Sequence, residues 1–495
     1  MIGNKRLRNS ALAGFVLTII GLNTAVPSAR GTTIFDNGTQ NLITQPIDDI
    51  EVRDGVGGAP SLVVNSGSQV GYQLNLDGTL FLDPVTNQPV SSNSSQSIAV
   101  FDTSIVAMAG GQTADSVVAN DISRIAISSG AIGDDIIANH DSSISIAGGS
   151  ADDVLVNDNA VVAMSAGSVD AVQVGGTATF RFSGGRIDDI EDATGASRVF
   201  VSGSAKVDDD AFFFGTSRLE ATGGQFDDEL QLYENSSAYF NGANVDDDLV
   251  VADNAVADID YITIGDAIEA SGDSTTNYRG GVIGNLIAGD RAVVNMSGGR
   301  VEDVIQAGPG GTIRATGGEL GAEVIASLNG RVELRGGTAN SIALSAQSGG
   351  ELLVDGLVAD SLNVEVLAGV AEIAGGAAGS IDLYAELSGE VSISGGVFAS
   401  GDLEARSGSV ITIFGKEFSV LGMPAPFGAI PFVAGDIVGT LADGSPFDVT
   451  FRRDFGAGNA AQIVLVNLPE PSTSLLAALV IPAAWRVRRN ATQLG

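Results

Sequence analysis

A glycine that returns about every 19 residues is the feature that most restricts how this 495-residue chain can fold. The 285 residues between the first and last of these glycines divide into 15 intervals of 19, and only the coil between Gly242 and Gly280 lacks the mark. A constant period of this size is typical of proteins whose units stack on one another. It predicts sixteen coils. The marks are Gly110, Gly130, Gly148, Gly167, Gly184, Gly203, Gly223, Gly242, Gly280, Gly298, Gly317, Gly336, Gly356, Gly375 and Gly395.

Short alternating segments accompany each glycine mark. The residues four and two before the mark are apolar or small, as in Ile-Ser-Ile at 144–146, Phe-Arg-Phe at 180–182 and Val-Glu-Leu at 332–334. A second alternating segment follows the mark, as in Leu-Gln-Leu at 230–232. Alternation with period two indicates a strand with one buried face. Each coil therefore offers two or three short strands, separated by a glycine corner and an acidic corner.

No single coil can form a core, because roughly five inward side chains bury too little surface to offset the entropy of ordering the coil. Stacked in register, the same positions form continuous inward rows, and every strand hydrogen-bonds to the coils above and below. We therefore predict an all-β protein, a single-stranded parallel β-helix (β-solenoid) of about 19 residues per coil and about 16 coils. At roughly 4.8 Å per coil this is a rod of about 75 to 80 Å. A β-sandwich or propeller would need longer antiparallel strands and bulkier cores.

Segments without the glycine mark flank the repeats and predict the domain organisation. We expect a signal peptide at 1–29, an N-terminal β cap with irregular strands at 30–97, the parallel β-helix at 98–410, a C-terminal β cap at 411–467 and a sorting tail with a short apolar helix at 468–495. Aromatic residues gather in the C-terminal cap. Its segments 437–441 and 447–451, separated by Asp443 and Gly444, read as a β-hairpin.

The N-terminal segment has the order of a secretory signal. Lys5, Arg6 and Arg8 precede an uncharged run over residues 11–22, which small residues follow near Ala29. A basic region, a short apolar run and a small-residue exit are typical of a signal peptide. The alternative, a membrane anchor, needs about 20 apolar residues, and this run is nearer a dozen. The sequence therefore predicts export.

The last residues of the chain combine three elements in a fixed order. The first is a tripeptide bounded by prolines, Pro469, Glu470 and Pro471, and the second is an apolar run over 475–485. The third, which we call the basic stop, consists of Arg486, Arg488 and Arg489. This order resembles the PEP-CTERM sorting signal, although the apolar run is short for that signal and contains Pro482. The alternative is a mildly apolar terminal helix.

The resemblance to PEP-CTERM proteins implies a fate and a set of partners. It implies processing of the tail by an exosortase, transient residence in the inner membrane through the tail, and delivery to the envelope, surface or extracellular matrix of a bacterium that has an outer membrane and secretes exopolysaccharide. The repeats, with a Ser-Gly-Gly or Thr-Gly-Gly mark after a Val-x-Ile-like strand, resemble the solenoid passengers of surface adhesins and autotransporter-like proteins. Extracellular polysaccharide and neighbouring cell surfaces are the expected binding partners.

Charge and composition exclude several classes of function. Against 24 Lys and Arg stand 60 Asp and Glu, and the net charge of −36 would repel nucleic acid. There is no Cys, and His140 is the only histidine, so cysteine-containing zinc sites and His-rich metal centres are excluded. His140 and Asn139 fall in a turn, where we expect an exposed histidine without a chemical role and stacked asparagines.

Paired aspartates at the acidic corner are the candidate binding residues. In a stacked solenoid they would form columns, and two like charges 4.8 Å apart cost on the order of 1 kcal/mol in water. Solvation and salt screening are one answer to this repulsion. Bound Ca²⁺, the only cofactor expected, is the other, although neither the EF-hand spacing nor the nonapeptide of calcium β-rolls is present. The candidates are Asp188, Asp189, Asp208, Asp209, Asp227, Asp228, Asp246 and Asp247.

An enzymatic alternative comes from the fold class. Right-handed β-helices include polysaccharide lyases and hydrolases, whose sites need a basic residue or clustered carboxylates, usually beside aromatic residues. Here Lys occurs only at 5, 206 and 416, and the single Trp lies in the tail. The sequence therefore favours a non-enzymatic, anionic structural or adhesive rod associated with exopolysaccharide, and polysaccharide cleavage is the alternative.

Overall fold

The computed structural model describes residues 32–454 and 460–467, apart from residues 37, 48, 56–57, 73–85, 87, 90 and 92–95. All regular elements of this described part are β-strands. The chain divides into two compact units, residues 1–151 and 152–495. The predicted signal peptide and the predicted sorting tail with its apolar helix lie outside the described residues.

The described residues of the first unit contain ten strands, and an eleventh, β11 (Ser143–Val156), runs across the division. The ten are β1 (Thr33–Phe35), β2 (Gln40–Ile43), β3 (Ile50–Val52), β4 (Ser61–Asn65), β5 (Gln69–Val70), β6 (Gln96–Val100), β7 (Ile105–Thr113), β8 (Ser116–Ala119), β9 (Arg124–Ile132) and β10 (Ile136–Ala138).

The described part of the second unit contains the remaining strands. They are β12 (Val161–Val174), β13 (Thr179–Ala193), β14 (Arg198–Val207), β15 (Ala211–Phe213), β16 (Arg218–Ala221), β17 (Gln225–Phe226), β18 (Leu230–Leu232), β19 (Ser237–Val245), β20 (Leu249–Val251), β21 (Val256–Ala270), β22 (Thr275–Tyr278), β23 (Gly281–Ala288), β24 (Val293–Met296), β25 (Arg300–Val301), β26 (Val304–Ala307), β27 (Thr312–Ala315), β28 (Glu323–Ser327), β29 (Arg331–Leu334), β30 (Thr338–Gln347), β31 (Glu351–Val354), β32 (Val358–Leu367), β33 (Val370–Ile373), β34 (Ala377–Glu386), β35 (Glu390–Ile393), β36 (Val397–Phe398), β37 (Gly401–Ala405), β38 (Val410–Val420), β39 (Met423–Pro424), β40 (Gly428–Ala429), β41 (Ala434–Leu441), β42 (Pro446–Arg453) and β43 (Gln462–Asn467).

Parallel pairing of equivalent strands in successive coils builds both units. In the second unit Val162 pairs with Phe180, Phe180 with Val199, and Val199 with Leu219, always in parallel register. These side chains are between 0% and 2% exposed, so they form an inward row. The predicted parallel β-solenoid with coils of about 19 residues is confirmed, and the turns counted over the two units number about 19 rather than 16.

Within residues 30–97, where we predict an N-terminal cap with irregular strands, the described strands take part in the parallel stacking of the first unit. β1 pairs in parallel with β3, and β2 pairs in parallel with β4. β4 then pairs in parallel with β7, which carries the first glycine mark. Leu62 and Val64 of β4 are buried like the inward residues of later coils. Alternation alone therefore builds a coil here, without the glycine mark, and these coils contribute to the larger number of turns.

The C-terminal segment both extends and closes the second unit. β41 and β42 form the predicted antiparallel hairpin around Asp443 and Gly444. β42 pairs in parallel with β37, and β43 pairs in parallel with β38. β38 also pairs in antiparallel fashion with β41. Phe418, Phe447 and Phe451 are buried here, whereas Phe427 is exposed, so only part of the aromatic residues that gather in this segment contribute to its core.

The glycine corner is required by the close approach of neighbouring coils. Gly185 has a φ of +104°, a left-handed conformation that other residues rarely adopt. A Cβ atom at this position would lie 2.7 Å from the carbonyl oxygen of Gly167 in the preceding coil. The glycine thus lets the backbone turn while the stacked strands keep their spacing.

Candidate functional site

The acidic corner joins the strand after the glycine mark to the second strand of the coil. β14 ends at Val207 and β15 begins at Ala211, so Asp208, Asp209 and Asp210 form the corner between them. Backbone hydrogen bonds carry the stacking through this corner. The amide of Asp209 donates to the carbonyl of Asp188 at 2.8 Å, and the amide of Asp227 donates to the carbonyl of Val207 at 2.9 Å. The acids of successive coils therefore stack in columns, as the period predicts.

The first column is Asp188, Asp208, Asp227 and Asp246, and cations from the adjoining strand interleave with its members. Arg186 Nε lies 3.2 Å from Asp188 Oδ1 and also contacts Asp208. Lys206 Nζ lies 2.5 Å from Asp208 Oδ1 and also contacts Asp227. The cations reach the column because they lie two residues before the acids, on the same strand face.

Amides replace the cations at the top of this first column. Gln225 Nε2 donates to Asp246 Oδ2 at 3.2 Å, and Asn244 also donates to Asp246. The Asp208 side chain is only 11% exposed. The first column is therefore a ladder in which two cations and two amides contact four carboxylates.

Two triads of carboxylates are formed by the acids that directly follow the first column in the chain. Asp209, Asp210 and Asp228 place one oxygen each within 4.8 Å of one another, and so do Glu229, Asp247 and Asp248. Within the part of the chain that the structure describes, no lysine or arginine forms an ion pair with these six carboxylates. We call these six residues the carboxylate triads.

The environment of the triads disfavours the ionised carboxylates. Partial burial raises the pKa of Asp210, and the nearby charges of Asp228 and Asp209 raise it further. Partial burial and then the charge of Asp210 raise the pKa of Glu229. The pKa of Asp247 and that of Asp248 are raised as well, with desolvation as the largest cause in both. Like charges that are partly removed from water explain all four directions.

Of the eight aspartates predicted as candidates, the structure brings only some into the triads. Asp209, Asp228 and Asp247 are members, and Asp189 lies beside them, its pKa raised by desolvation and by Asp209 and Asp210. The other four form the first column. The pairing of aspartates in the sequence does not identify Asp210, Glu229 and Asp248, which the structure adds to them. The signal that identifies them is the run of three acids at 208–210, 227–229 and 246–248, whose third member closes each triad.

The triads offer the chemistry of a hard-cation site. Ca²⁺ takes six to eight oxygen ligands, many of them carboxylate, so three carboxylates supply part of a coordination sphere and water or backbone carbonyls would complete it. A bound cation would also offset the desolvated like charge. The residues that would hold it are Asp209, Asp210 and Asp228 in one triad and Glu229, Asp247 and Asp248 in the other.

A second group of acids has a purely structural position at the turn that precedes each coil's first strand. Glu234 has a φ of 59° and Asp253 a φ of 58°. The amide of Gly215 donates to Glu234 Oε2 at 2.7 Å, and the amide of Glu234 donates to Asp253 Oδ2 at 3.1 Å. Each acid therefore satisfies a backbone donor of the neighbouring coil.

His140 occupies the same turn position in the first unit. Its side chain is 59% exposed, and its Nδ1 accepts a hydrogen bond from the amide of Asp121 at 3.2 Å. The predicted stacking of turn asparagines is confirmed for Asn139 and Asn120, whose side chains hydrogen-bond at 3.0 Å. The histidine thus takes the place that an acid holds elsewhere.

Comparisons of this chain with protein-family models, with curated proteins and with solved structures each found no match. A search of the described residues found no apolar helix of membrane-spanning length. The fold and the columns together define the class of this protein as a parallel β-solenoid that carries stacked carboxylates on its surface.

Proposed function

We propose that this protein is an exported, non-catalytic β-solenoid that serves as an anionic structural or adhesive component of the cell surface or extracellular matrix. In this proposal it associates with exopolysaccharide or with neighbouring cells. Its binding surface is repetitive, and the same kinds of side chain recur in successive coils.

The observation that carries the proposal is the stacking of the carboxylate triads beside an ion-paired column. Residues 208–210, 227–229 and 246–248 present acids at equivalent positions in three successive coils. A row of equal groups at strand spacing suits a polymer with many equal groups, because each coil adds another weak contact. The pairing of the triads with Ca²⁺ would let them bridge to an anionic polymer.

The route to the surface rests on the sequence at the two ends. The signal-like segment at 1–29 supports export, and Pro469, Glu470 and Pro471 with the basic stop support sorting by an exosortase through the inner membrane of a bacterium with an outer membrane. Mass spectrometry of the full chain, expressed in a host that makes an exosortase, checks this. We expect a product without residues 1–29 and with a shortened C-terminus. Retention of both ends in a host that processes its own substrates would contradict the route.

Association with the matrix is tested by sedimentation. Purified full chain should sediment with exopolysaccharide more completely in Ca²⁺ than in a chelator, while the reducing ends of the polymer stay constant. The difference is expected because the triads can bridge to the polymer only through a cation. A rise in new chain ends would instead support the alternative, a polysaccharide lyase or hydrolase. Absence of cosedimentation under both conditions would contradict the proposal.

A further inference from the structure

Three successive coils of the second unit form a groove on their outward face, along the strands that precede the glycine marks. Its volume is about 180 Å³. The side chains that line it are rich in hydrogen-bond donors; the ones used below are Asn277, Arg279, Asn295, Ser297, Arg314 and Thr316. Two guanidinium groups in one groove are unusual in a chain whose net charge is −36.

The groove arises from the size of the side chains in stacked positions. Asn277 pairs in register with Asn295, and Asn295 with Arg314, so these three form one outward column. The middle coil contributes the short side chains of Asn295 and Ser297. Arg279 belongs to the coil below and Arg314 to the coil above, roughly 9.6 Å apart along the stack at the spacing of parallel strands. Two long cationic side chains therefore flank a short polar floor.

The first wall of the groove is Arg279, whose guanidinium is hydrogen-bonded to two carboxylates. Arg279 Nη1 donates to Asp260 Oδ1 at 3.0 Å, and its Nη2 donates to Asp258 Oδ1 at 3.3 Å. A guanidinium fixed by two carboxylates on one side is pre-organised, which reduces the entropy lost when a ligand binds.

The second wall, Arg314, differs from the first. Its closest carboxylate, that of Glu333, lies 3.9 Å from Nε, which is beyond hydrogen-bond distance. Glu333 is 7% exposed and already accepts from Arg331 Nε at 2.7 Å and from Arg335 Nε at 3.0 Å. Burial would raise the pKa of Glu333, but the two arginines outweigh it and lower the pKa. Three arginines thus surround one carboxylate, and Arg314, 46% exposed, keeps its donors for another acceptor.

The floor of the groove is oriented by a chain of hydrogen bonds. Asn295 Nδ2 donates to Asn277 Oδ1 at 2.9 Å, and Asn277 Nδ2 donates to Asp258 Oδ1 at 2.9 Å. Because Asp258 only accepts, it fixes the direction of both amides. The carbonyl oxygen and one N–H of Asn295 remain for hydroxyl groups of a ligand, beside the hydroxyl groups of Ser297 and Thr316.

We propose that this groove binds a uronic acid residue of a polysaccharide. Arg314 takes the sugar carboxylate in a bidentate pair, Arg279 forms the opposite wall of the groove, and Asn295 with Ser297 hydrogen-bonds the ring hydroxyls. This proposal rests on the proposed association with exopolysaccharide and specifies the sugar that the protein contacts. The contact to this anionic sugar is direct and needs no bridging cation.

Calorimetric titration of the full chain with an oligouronate, in the presence of EDTA, tests the groove. EDTA removes any bridge through the carboxylate triads, and a neutral oligosaccharide of equal length is the ligand control. We expect the oligouronate alone to bind, and Arg314→Gln to weaken it about tenfold to a hundredfold, the effect of one charge-assisted pair. Arg314→Lys, which keeps the charge but not the planar fork, should fall between. Arg218→Gln, an exposed arginine on another coil, should leave the affinity unchanged.

Several outcomes would overturn this inference. They are equal binding of the neutral oligosaccharide, tighter binding of a sulfated one, an affinity unaffected by Arg314→Gln, and an equal loss in Arg218→Gln. Far-ultraviolet circular dichroism checks that each variant keeps its strands. Oligouronate binding in EDTA without cosedimentation with exopolysaccharide would contradict the proposed function and leave the groove standing. Cosedimentation without oligouronate binding would contradict the groove and leave the proposed function standing.

Discussion

At the scale of single residues, two populations of carboxylate lie side by side on this protein. Asp208, at 11% side-chain exposure, contacts both Arg186 and Lys206. Two residues further on, Asp210 has carboxylates instead of cations around it, and its pKa is raised. The sequence places both in one acidic run, and their opposite surroundings arise because alternate residues of a coil face different neighbours.

Loss of the shared cation in the first column should be destabilising. Lys206→Met removes the only cation that contacts Asp227 among the described residues and leaves Arg186 alone beside Asp208. Breaking such a half-buried pair costs about 1–3 kcal/mol. Lys416→Met, an exposed lysine in the C-terminal segment, is the matched control and should change stability by less than about 0.5 kcal/mol. Thermal unfolding of both variants measures the difference. Equal effects would show that the ladder of ion pairs contributes nothing specific.

Ionisation of the triads should destabilise the second unit at neutral pH. The folded-state pKa values of Asp210, Glu229, Asp247 and Asp248 lie above their ordinary values. Their favourable contribution is therefore complete below about pH 4 and is lost as the pH rises through the raised values. Asp210→Asn should consequently raise the unfolding midpoint at pH 7 and have no such effect below pH 4. Asp360→Asn, an exposed acid elsewhere, should raise it at neither pH.

At the scale of the structural element, the coil depends on a few positions. Alternating apolar residues such as Phe180 and Phe182 are 0% and 1% exposed, as their spacing predicts. This much of the fold can be read from the sequence, because an inward row needs only period two and a constant repeat. The coils of β2 and β4 could not be counted in advance, since they lack the glycine mark and share only the alternation.

The candidate site was harder to predict than the fold for a physical reason. The repeat fixes which acids stack, but not which of them a cation reaches. That depends on whether the residue two positions earlier is Arg186, Lys206, Gln225 or a small residue, and on how the corner turns. The membership of Asp210, Glu229 and Asp248 in the triads follows from this turn, whereas the sequence shows only the runs of three acids to which they belong.

Substitution of the corner glycine tests the stacking of coils directly. In Gly185→Ala the new Cβ would lie 2.7 Å from the carbonyl oxygen of Gly167, at a φ of +104°. We expect a loss of about 1–3 kcal/mol, the usual cost of such backbone strain. Gly175→Ala is the matched control, because φ there is not in the left-handed region and the nearest atoms lie at 3.8 Å. Chemical denaturation compares the two, and a larger loss in the control would contradict this view of the corner.

At the scale of the whole molecule, the charge of −36 makes stability sensitive to ions. Salt screens all of the acids, whereas Ca²⁺ bound by the triads would act at defined positions. The two explanations of the acidic corner, screening and metal binding, therefore differ in their dependence on ion type.

Calcium should raise the unfolding midpoint beyond what sodium does at equal ionic strength, and EDTA should reverse the rise. A ligand that binds only the folded state stabilises it progressively with concentration. The double variant Asp228→Asn with Asp247→Asn, one substitution in each triad, should lose most of the calcium-specific rise. Asp360→Asn should keep it. Equal rises in sodium and calcium would leave solvation and screening as the full account of these residues.

The register between neighbouring coils also bears on how such a chain can evolve. The offset is 18 residues from Val162 to Phe180, 19 from Phe180 to Val199 and 20 from Val199 to Leu219, and the parallel ladder absorbs the difference. Duplication or loss of a gene segment that encodes one coil would therefore join surfaces that already fit. Lineages can change the number of binding positions in this way without inventing a new core.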